Sequence, residues 1–127
     1  MNFMQGGYPP MTLEECYAAL EGSYTDAIGR LRSEKLVRKF AIKFLADPSF
    51  QLLEDSLASQ DYSEAFRASH TIKGVCQNLA FNKLGNSSDQ LTESLRGGWT
   101  DAAAGLVEQV RADYQQTINA LRQLDAE

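Results

Sequence analysis

The sequence is poor in the features that mark several large classes of protein. Its two cysteines, Cys16 and Cys76, do not form a Cys-x-x-Cys pair, so no zinc or redox motif is predicted, and both are expected to be buried and reduced. No apolar run approaches the roughly 20 residues of a membrane span. Lys and Arg number 12 against 17 Asp and Glu and form no long run, which disfavours nucleic acid and anionic membranes as partners.

Proline is also scarce, and two of the three prolines lie in the first ten residues beside a Gly-Gly pair. We therefore expect residues 1–10 to form a flexible leader and residues 11–127 to form a single domain. The first residues have neither the positive charge nor the apolar run of a signal peptide, so a cytoplasmic location is expected. With 43% hydrophobic and 23% charged residues, the chain has the composition of a globular domain with its own core.

The alternation of apolar and polar residues that is typical of half-buried strands is missing, whereas apolar residues recur at helical spacing beyond the leader. One or two short helices are predicted first, followed by four substantial amphipathic helices at 33–59 (broken or kinked at Asp47-Pro48), 61–79, 81–95 and 100–124. Short connections between such helices favour an all-α fold, an antiparallel up-down four-helix bundle.

The segment 33–59 carries a wide apolar stripe. Six residues of this stripe are expected to be buried: Leu36, Val37, Phe40, Ala41, Phe44 and Leu45. At the starts of two later helices, Asp61 and Glu64 have the spacing of a capping box, and Thr100 is predicted to cap the last helix.

The helix predicted at 61–79 has two contrasting faces. At about 100° per residue, five residues cluster on the core side: Ala65, Ser69, Ile72, Cys76 and Leu79. Nearly opposite lie His70, Ser63, Arg67, Gly74 and Gln77, and Lys73 sits about 60° to one side of His70. The only histidine of the sequence is therefore predicted to face solvent in the middle of a helix.

A lone exposed histidine is usually an ordinary surface residue, but its neighbours favour a function. A glycine inside a helix costs about 1 kcal/mol relative to alanine, and Gly74 buries nothing, so it leaves room beside the imidazole. The Lys73 ammonium can reach a phosphoryl group attached to the ring, and Arg67 and Gln77 are further donors on the same side. Taken singly, each neighbour is compatible with a solvated surface residue or a tolerated helix defect. The combination His-x-x-Lys-Gly on a wet face indicates nucleophilic chemistry of imidazole, which is a good nucleophile near neutral pH.

The stretch Ala-Ser-His-Thr-Ile-Lys-Gly at 68–74, continued by Asn78-Leu79, resembles the signature of histidine-containing phosphotransfer (HPt) domains. The likeness extends over residues 33–125. Ser69 and Ile72 replace a common alanine and leucine, and Ala80 stands where the family has glycine after Asn-Leu.

The resemblance implies a four-helix bundle that relays phosphoryl groups between aspartates of response-regulator receiver domains. His70 would accept the group through the ring nitrogen remote from the main chain, Lys73 would stabilise the phosphoryl oxygens, and Gly74 would give the receiver access. Arg67 and Gln77 would contact the partner. Receiver domains, a sensor histidine kinase, or both are the implied partners of a monomeric carrier that is not itself an enzyme. Because the receiver supplies Mg²⁺ and the aspartate, no cofactor or metal of the chain's own is expected.

Two other functions compete with this interpretation. The bundle could be a docking module that binds a receiver or kinase without accepting phosphate, although docking alone needs none of His70, Lys73 and Gly74. An enzyme that uses His70 as a general base is disfavoured because no carboxylate stands at i±3 or i±4 to orient the ring. A metal or haem bound by one outward histidine is disfavoured because bundle sites gather several inward ligands.

Overall fold

The computed structural model describes residues 10–126, and within this range all regular structure is helical, so the all-α prediction is confirmed. The rest of the predicted leader, residues 1–9, lies outside the described residues, as does residue 127. Seven α-helices and one 3₁₀ turn follow each other in this order: α1 (Leu13–Ala19), α2 (Tyr24–Leu31), α3 (Glu34–Lys43), the 3₁₀ turn (Phe44–Ala46), α4 (Ser49–Ala58), α5 (Tyr62–Leu79), α6 (Asn82–Leu95) and α7 (Asp101–Asp125).

The predicted helix at 33–59 is divided in two at the predicted break. After the 3₁₀ turn the Asp47 carboxylate accepts a hydrogen bond from the Ser49 N–H at 2.8 Å, and Pro48 directly precedes α4. Pro48 has no N–H of its own that would need a partner here, and its fixed φ angle suits the start of a helix. Two short helices, α1 and α2, lie before α3, in agreement with the expected one or two.

The expectation that the whole stripe on α3 is buried is wrong for two residues. Val37, Ala41 and Phe44 are buried and Leu45 is partly buried, but Leu36 and Phe40 keep 40% and 37% of their surfaces exposed. Helix α3 packs on α2 and α7, with a smaller contact to α5, and these neighbours leave one side of it uncovered. Leu36 and Phe40 each precede a buried residue by one position, which turns them about 100° away from the covered side.

Helices α5 and α6 pack closely and antiparallel. Four approaches join their facing sides: Phe66 with Arg96, Ser69 with Thr92, Lys73 with Asp89, and Cys76 with Gly85, where an added Cβ would lie 3.3 Å from that of Cys76. The numbers rise along α5 as they fall along α6, which defines the antiparallel register. The small side chains on this seam allow the close approach.

Helices α4 and α7 are also antiparallel neighbours. The Phe50 ring stacks on Tyr114 with centroids 3.8 Å apart, and one turn further along α4 the Glu54 carboxylate pairs with Arg111 at 2.7 Å. Helix α5 packs on both α4 and α6, and α6 packs on α7. Each of these four helices therefore contacts two others of the set.

The C-terminal end of α5 is held by α1 and by the turn that follows it. The buried Tyr17 hydroxyl donates to the Leu79 carbonyl oxygen at 2.7 Å, and the Ser23 N–H donates to the Ala80 carbonyl oxygen at 2.9 Å. These bonds satisfy carbonyls that a helix end otherwise leaves without partners. The helix that carries His70 is thus fixed at its far end.

The turn between α6 and α7 carries the one tryptophan. The Trp99 ring is 41% exposed and packs against Tyr62 at the start of α5, with centroids 5.2 Å apart.

Among the described helices, none combines the length and the apolar character needed to span a membrane.

Candidate functional site on helix α5

Helix α5 begins and ends where the sequence predicts. The Asp61 carboxylate accepts from the Glu64 N–H at 3.1 Å, but the Glu64 carboxylate pairs with Arg67 instead of returning to Asp61, so only half of the capping box forms. Ala80 ends the helix in the left-handed conformation, with φ 57°. At α7 the predicted cap is correct in position only, because the Thr100 side chain makes no capping hydrogen bond.

The two predicted faces of α5 are confirmed. The five residues assigned to the core are all buried: Ala65, Ser69, Ile72, Cys76 and Leu79. His70 and the other residues assigned to the opposite side are all exposed: Ser63, Arg67, Gly74 and Gln77. His70 lies near the middle of the 18-residue helix, open to solvent.

A buried polar contact stands directly behind His70. The Ser69 hydroxyl donates to the Phe66 carbonyl oxygen at 3.0 Å. The Thr92 hydroxyl of α6 lies 3.0 Å from the Ser69 hydroxyl oxygen and donates to the Ser88 carbonyl oxygen at 2.7 Å. Only the Ser69–Thr92 contact crosses between the two helices, and because both residues are fully buried, a rotation of α5 would separate these polar groups in a dry environment. The contact therefore fixes the outward direction of His70.

The imidazole of His70 has an aromatic neighbour on its own helix. The Phe66 and His70 rings are nearly parallel, with an interplanar angle of 8° and centroids 6.2 Å apart. The guanidinium of Arg96, the residue directly after α6, also lies on Phe66, with its Cζ 5.2 Å from the ring centroid. Neither residue was singled out from the sequence. The i−4 spacing of Phe66 was a usable signal, whereas Arg96 arrives from another helix.

Gly74 leaves open space one turn beyond His70. A Cβ built there would meet no atom within 4 Å apart from its own helix. Beside it opens a groove of about 470 Å³ between α5 and the α3–α4 connection. Ten residues line this groove: Phe40, Lys43, Phe44, Ala46, Asp47, Pro48, Gly74, Val75, Asn78 and Leu79.

Lys73 differs from a freely solvated lysine. Its Nζ lies 2.8 Å from Oδ1 of Asp89 on α6, and its side chain is only 21% exposed. The structure thus gives the predicted phosphoryl-binding ammonium a carboxylate partner. Asp89 was not singled out from the sequence, because only the α5–α6 register brings it to Lys73.

Arg67 and Gln77 flank His70 on opposite sides along the helix. They are ten residues apart, which corresponds to about 15 Å along the axis, so the structure does not bring them together. Arg67 pairs with Glu64, while Gln77 lines a shallow hollow that also contains Asn86 and Asp89. Both remain exposed and accessible to a partner protein.

The facing side of α6 is a row of charges. Arg96 binds Glu93 through two hydrogen bonds of 3.2 and 2.7 Å, and this contact lowers the pKa of the Glu93 carboxyl. Lys73 adds to the lowering and Asp89 opposes it, so the four groups form one cluster. Glu93 in turn raises the pKa of Arg96. The face beside His70 therefore holds cations, each with a carboxylate partner.

An all-helical domain with an exposed mid-helix histidine, a lysine at i+3 and an open glycine at i+4 belongs to the class of histidine-bearing carrier domains. In agreement, the family model of the Hpt domain matches residues 46–123, more than half of the chain. The chain belongs to the Hpt domain family. Neither the comparison with curated proteins nor that with solved structures gave a match.

Membership in this family establishes the general role. Hpt domains carry phosphoryl groups on histidine in two-component phosphorelays, and they interact with response-regulator receivers and kinases. They are phosphocarrier modules rather than enzymes.

Proposed function

We propose that this chain is a phosphoryl carrier in which His70 exchanges the phosphoryl group with aspartates of receiver domains. The observation that carries the proposal is the open position of His70 on α5 next to Gly74, with no atom in the space that a side chain would fill. A receiver has to bring its aspartyl phosphate to the ring nitrogen, which requires this access. In the proposed site Lys73 binds the phosphoryl oxygens, and Arg67 and Gln77 contact the partner on either side.

The transfer needs no oxidation or reduction. Nε2 of the neutral imidazole attacks the phosphorus, the N–P bond forms, and the P–O bond to the receiver aspartate breaks with the electron pair going to the carboxylate. The Nδ1 proton exchanges with solvent, because the ring is exposed. The reverse sequence returns the group to a second aspartate.

The proposal includes the finer architecture. Helices α4, α5, α6 and α7 are taken to form an antiparallel up-down four-helix bundle within a single domain of residues 11–127. The mutual contacts of the four helices and the antiparallel pairs α5–α6 and α4–α7 support it. We place this carrier in the cytoplasm as a monomer.

The groove beside Gly74 is proposed as the seat of the receiver. Gly74, one turn from His70, belongs to its lining, and the exposed Phe40 ring forms part of its wall. A domain that covers His70 therefore also covers this groove. The Lys43 ammonium at the rim suits a partner surface with acidic side chains next to apolar ones.

Replacing Phe40 tests the groove. Phe40→Ser is expected to weaken receiver binding several-fold, because it removes an apolar contact, and to leave labelling by the small donor phosphoramidate unchanged. Binding is measured by isothermal titration with a receiver that labels the wild type. Leu52→Ser, at an exposed leucine of α4 outside the groove lining, is the matched control. Equal receiver affinities in the two variants would remove the groove from the interface.

The decisive experiment for the function uses a panel of receiver domains carrying a radiolabelled phosphoryl group. Each receiver is mixed with the chain and Mg²⁺, and the chain is tested for an acid-labile, base-stable label. Wild type is expected to acquire the label and His70→Gln to remain unlabelled, with an unchanged circular dichroism spectrum since His70 is exposed. Absence of label from all receivers and from phosphoramidate would support the docking module instead.

A further inference from the structure

The contact between Lys73 and Asp89 is unlike the other ion pairs near His70. Arg67–Glu64 and Arg96–Glu93 each join residues three apart in the sequence, and all four side chains are more than half exposed. Lys73–Asp89 connects α5 with α6, and the lysine side chain is 21% exposed. Pairs in open solvent contribute little because water screens them, whereas a partly buried pair is screened less. Lys73 is therefore the least exposed of the three cations, and its interaction with Asp89, whose side chain is 47% exposed, is screened less by water than the other two pairs.

The same ammonium is the group that the phosphoryl oxygens would bind. An ammonium can donate three hydrogen bonds, and the Lys73 ammonium forms an ion pair with Asp89, its Nζ 2.8 Å from Oδ1. When His70 carries the phosphoryl group, its oxygens and the Asp89 carboxylate compete for one positive charge. Asp89 also adds a negative charge to the neighbourhood of a dianionic group.

We infer that Asp89 is a positioning residue that restrains Lys73 and thereby lowers the stability of the phosphoryl group on His70. This inference rests on the proposed function. A carrier has to release what it accepts, and a histidine whose phosphoryl group was bound too firmly would stop the relay. Asp89 weakens the interaction of the Lys73 ammonium with the phosphoryl oxygens. It thereby keeps the equilibrium of transfer between His70 and the receiver aspartate close to balance.

The test measures that equilibrium directly. A receiver that labels the wild type is mixed with each variant, and the ratio of label on the chain to label on the receiver is determined at equilibrium. Asp89→Asn is expected to shift the ratio roughly two- to five-fold toward the chain, the range that corresponds to one ion pair near a protein surface. Asp89→Glu is expected to restore a ratio near that of the wild type.

A double-mutant cycle shows whether Asp89 acts through Lys73. In a Lys73→Ala background, Asp89→Asn is expected to change the ratio much less than it does alone. The matched control is Glu54→Gln, which breaks the cross-helix pair with Arg111 at the α4–α7 contact and is expected to leave the ratio unchanged.

Three results would overturn the inference. One is a ratio for Asp89→Asn equal to the wild-type ratio, and a second is a shift toward the receiver, which would mean that Asp89 prepares Lys73 for phosphoryl binding. The third is an equal shift in the Lys73→Ala background. If the wild type takes no label from any receiver or from phosphoramidate, the proposed function itself has failed, which is a different outcome from these three.

Discussion

Gly74 stands near the middle of an 18-residue helix, at a position where any other common residue except proline would favour the helical state more strongly. Its Cβ would meet nothing within 4 Å, so packing within the molecule does not require glycine. At the scale of the single residue, the helix thus gives up stability on the face where His70 is exposed. Under the proposed function, the reason for glycine at this position is the access that it gives to a receiver.

A longer side chain at this position separates stability from transfer. Gly74→Gln is expected to raise the free energy of unfolding by about 0.5 kcal/mol through helix propensity, and to slow transfer from a receiver while affecting labelling by phosphoramidate much less. Urea titration and the two labelling rates are the measurements.

Gly105→Gln is the matched control for Gly74→Gln. Gly105 is an exposed glycine of α7 that also has nothing within 4 Å of its Cβ position. The control should show the same gain in stability with an unchanged transfer rate. If both variants transfer as fast as the wild type, Gly74 has no steric role.

Much of the candidate site could be predicted from the sequence because it lies on one helix. The period of 3.6 residues fixes the directions of His70, Gly74 and the core residues from their spacing alone. The partners of this face could not be predicted in the same way. Asp89 and Arg96 reach it through the register of α6 against α5, which depends on how small residues such as Gly85 pack on the seam.

At the scale of the helical element, α5 is positioned from its end as well as along its side. Gly22 lies under the last turn, where a Cβ would come within 2.4 Å of the Ala80 carbonyl oxygen and 3.1 Å of the Tyr17 ring. The same carbonyl accepts the Ser23 N–H at 2.9 Å. The backbone of the α1–α2 turn therefore packs directly against the backbone at the end of α5.

Adding a single methyl group to this turn is expected to be costly. Gly22→Ala should lower the free energy of unfolding by about 1–3 kcal/mol, since a backbone oxygen has to move away from the new Cβ. Gly29→Ala, in α2 where a Cβ meets nothing within 4 Å, should instead raise it by up to about 1 kcal/mol. Both values come from urea titration. A neutral Gly22→Ala would mean that the turn yields without loss.

The helices themselves were predictable to different extents. The bounds of α5 follow from local signals, the Asp61 cap and the end at Asn78-Leu79, which act within a few residues. The burial of α3 did not follow, because Leu36 and Phe40 are apolar without a neighbouring helix to cover them. Apolar spacing indicates which side of a helix can be buried, while the number of packed neighbours decides how much of it is.

At the scale of the whole molecule, the dry interior contains groups that resist ionisation. Burial raises the pKa of the Tyr17 hydroxyl and of the Cys76 thiol well above their ordinary values of 10.0 and 9.0. Desolvation raises the pKa of Tyr114 as well. In the unfolded chain these groups lose protons near their ordinary values, whereas the folded protein keeps them.

Stability is therefore expected to fall in alkali. Above about pH 9 the unfolded state binds fewer protons than the folded state, so the free energy of unfolding decreases as pH rises, by at most about 1.4 kcal/mol per pH unit for each group. Urea titrations between about pH 7 and pH 11 measure this slope. Because the Cys76 thiol has the lowest ordinary pKa of the three groups, Cys76→Ala should remove the part of the decrease that begins near pH 9. A free energy of unfolding that stays constant up to about pH 11 would contradict the raised pKa values of these groups.

Trp99, packed on Tyr62, has a further consequence for experiments on the intact protein. It is the only tryptophan of the sequence, so the wavelength of tryptophan fluorescence reports on one place, the turn between α6 and α7. Tyr62 lines the same shallow hollow as Phe66 and Arg96, which connects that place to the ring stacked on His70. Trp99 is thus an intrinsic fluorescent probe, and we expect its emission to report the binding of a partner over the histidine without an attached label.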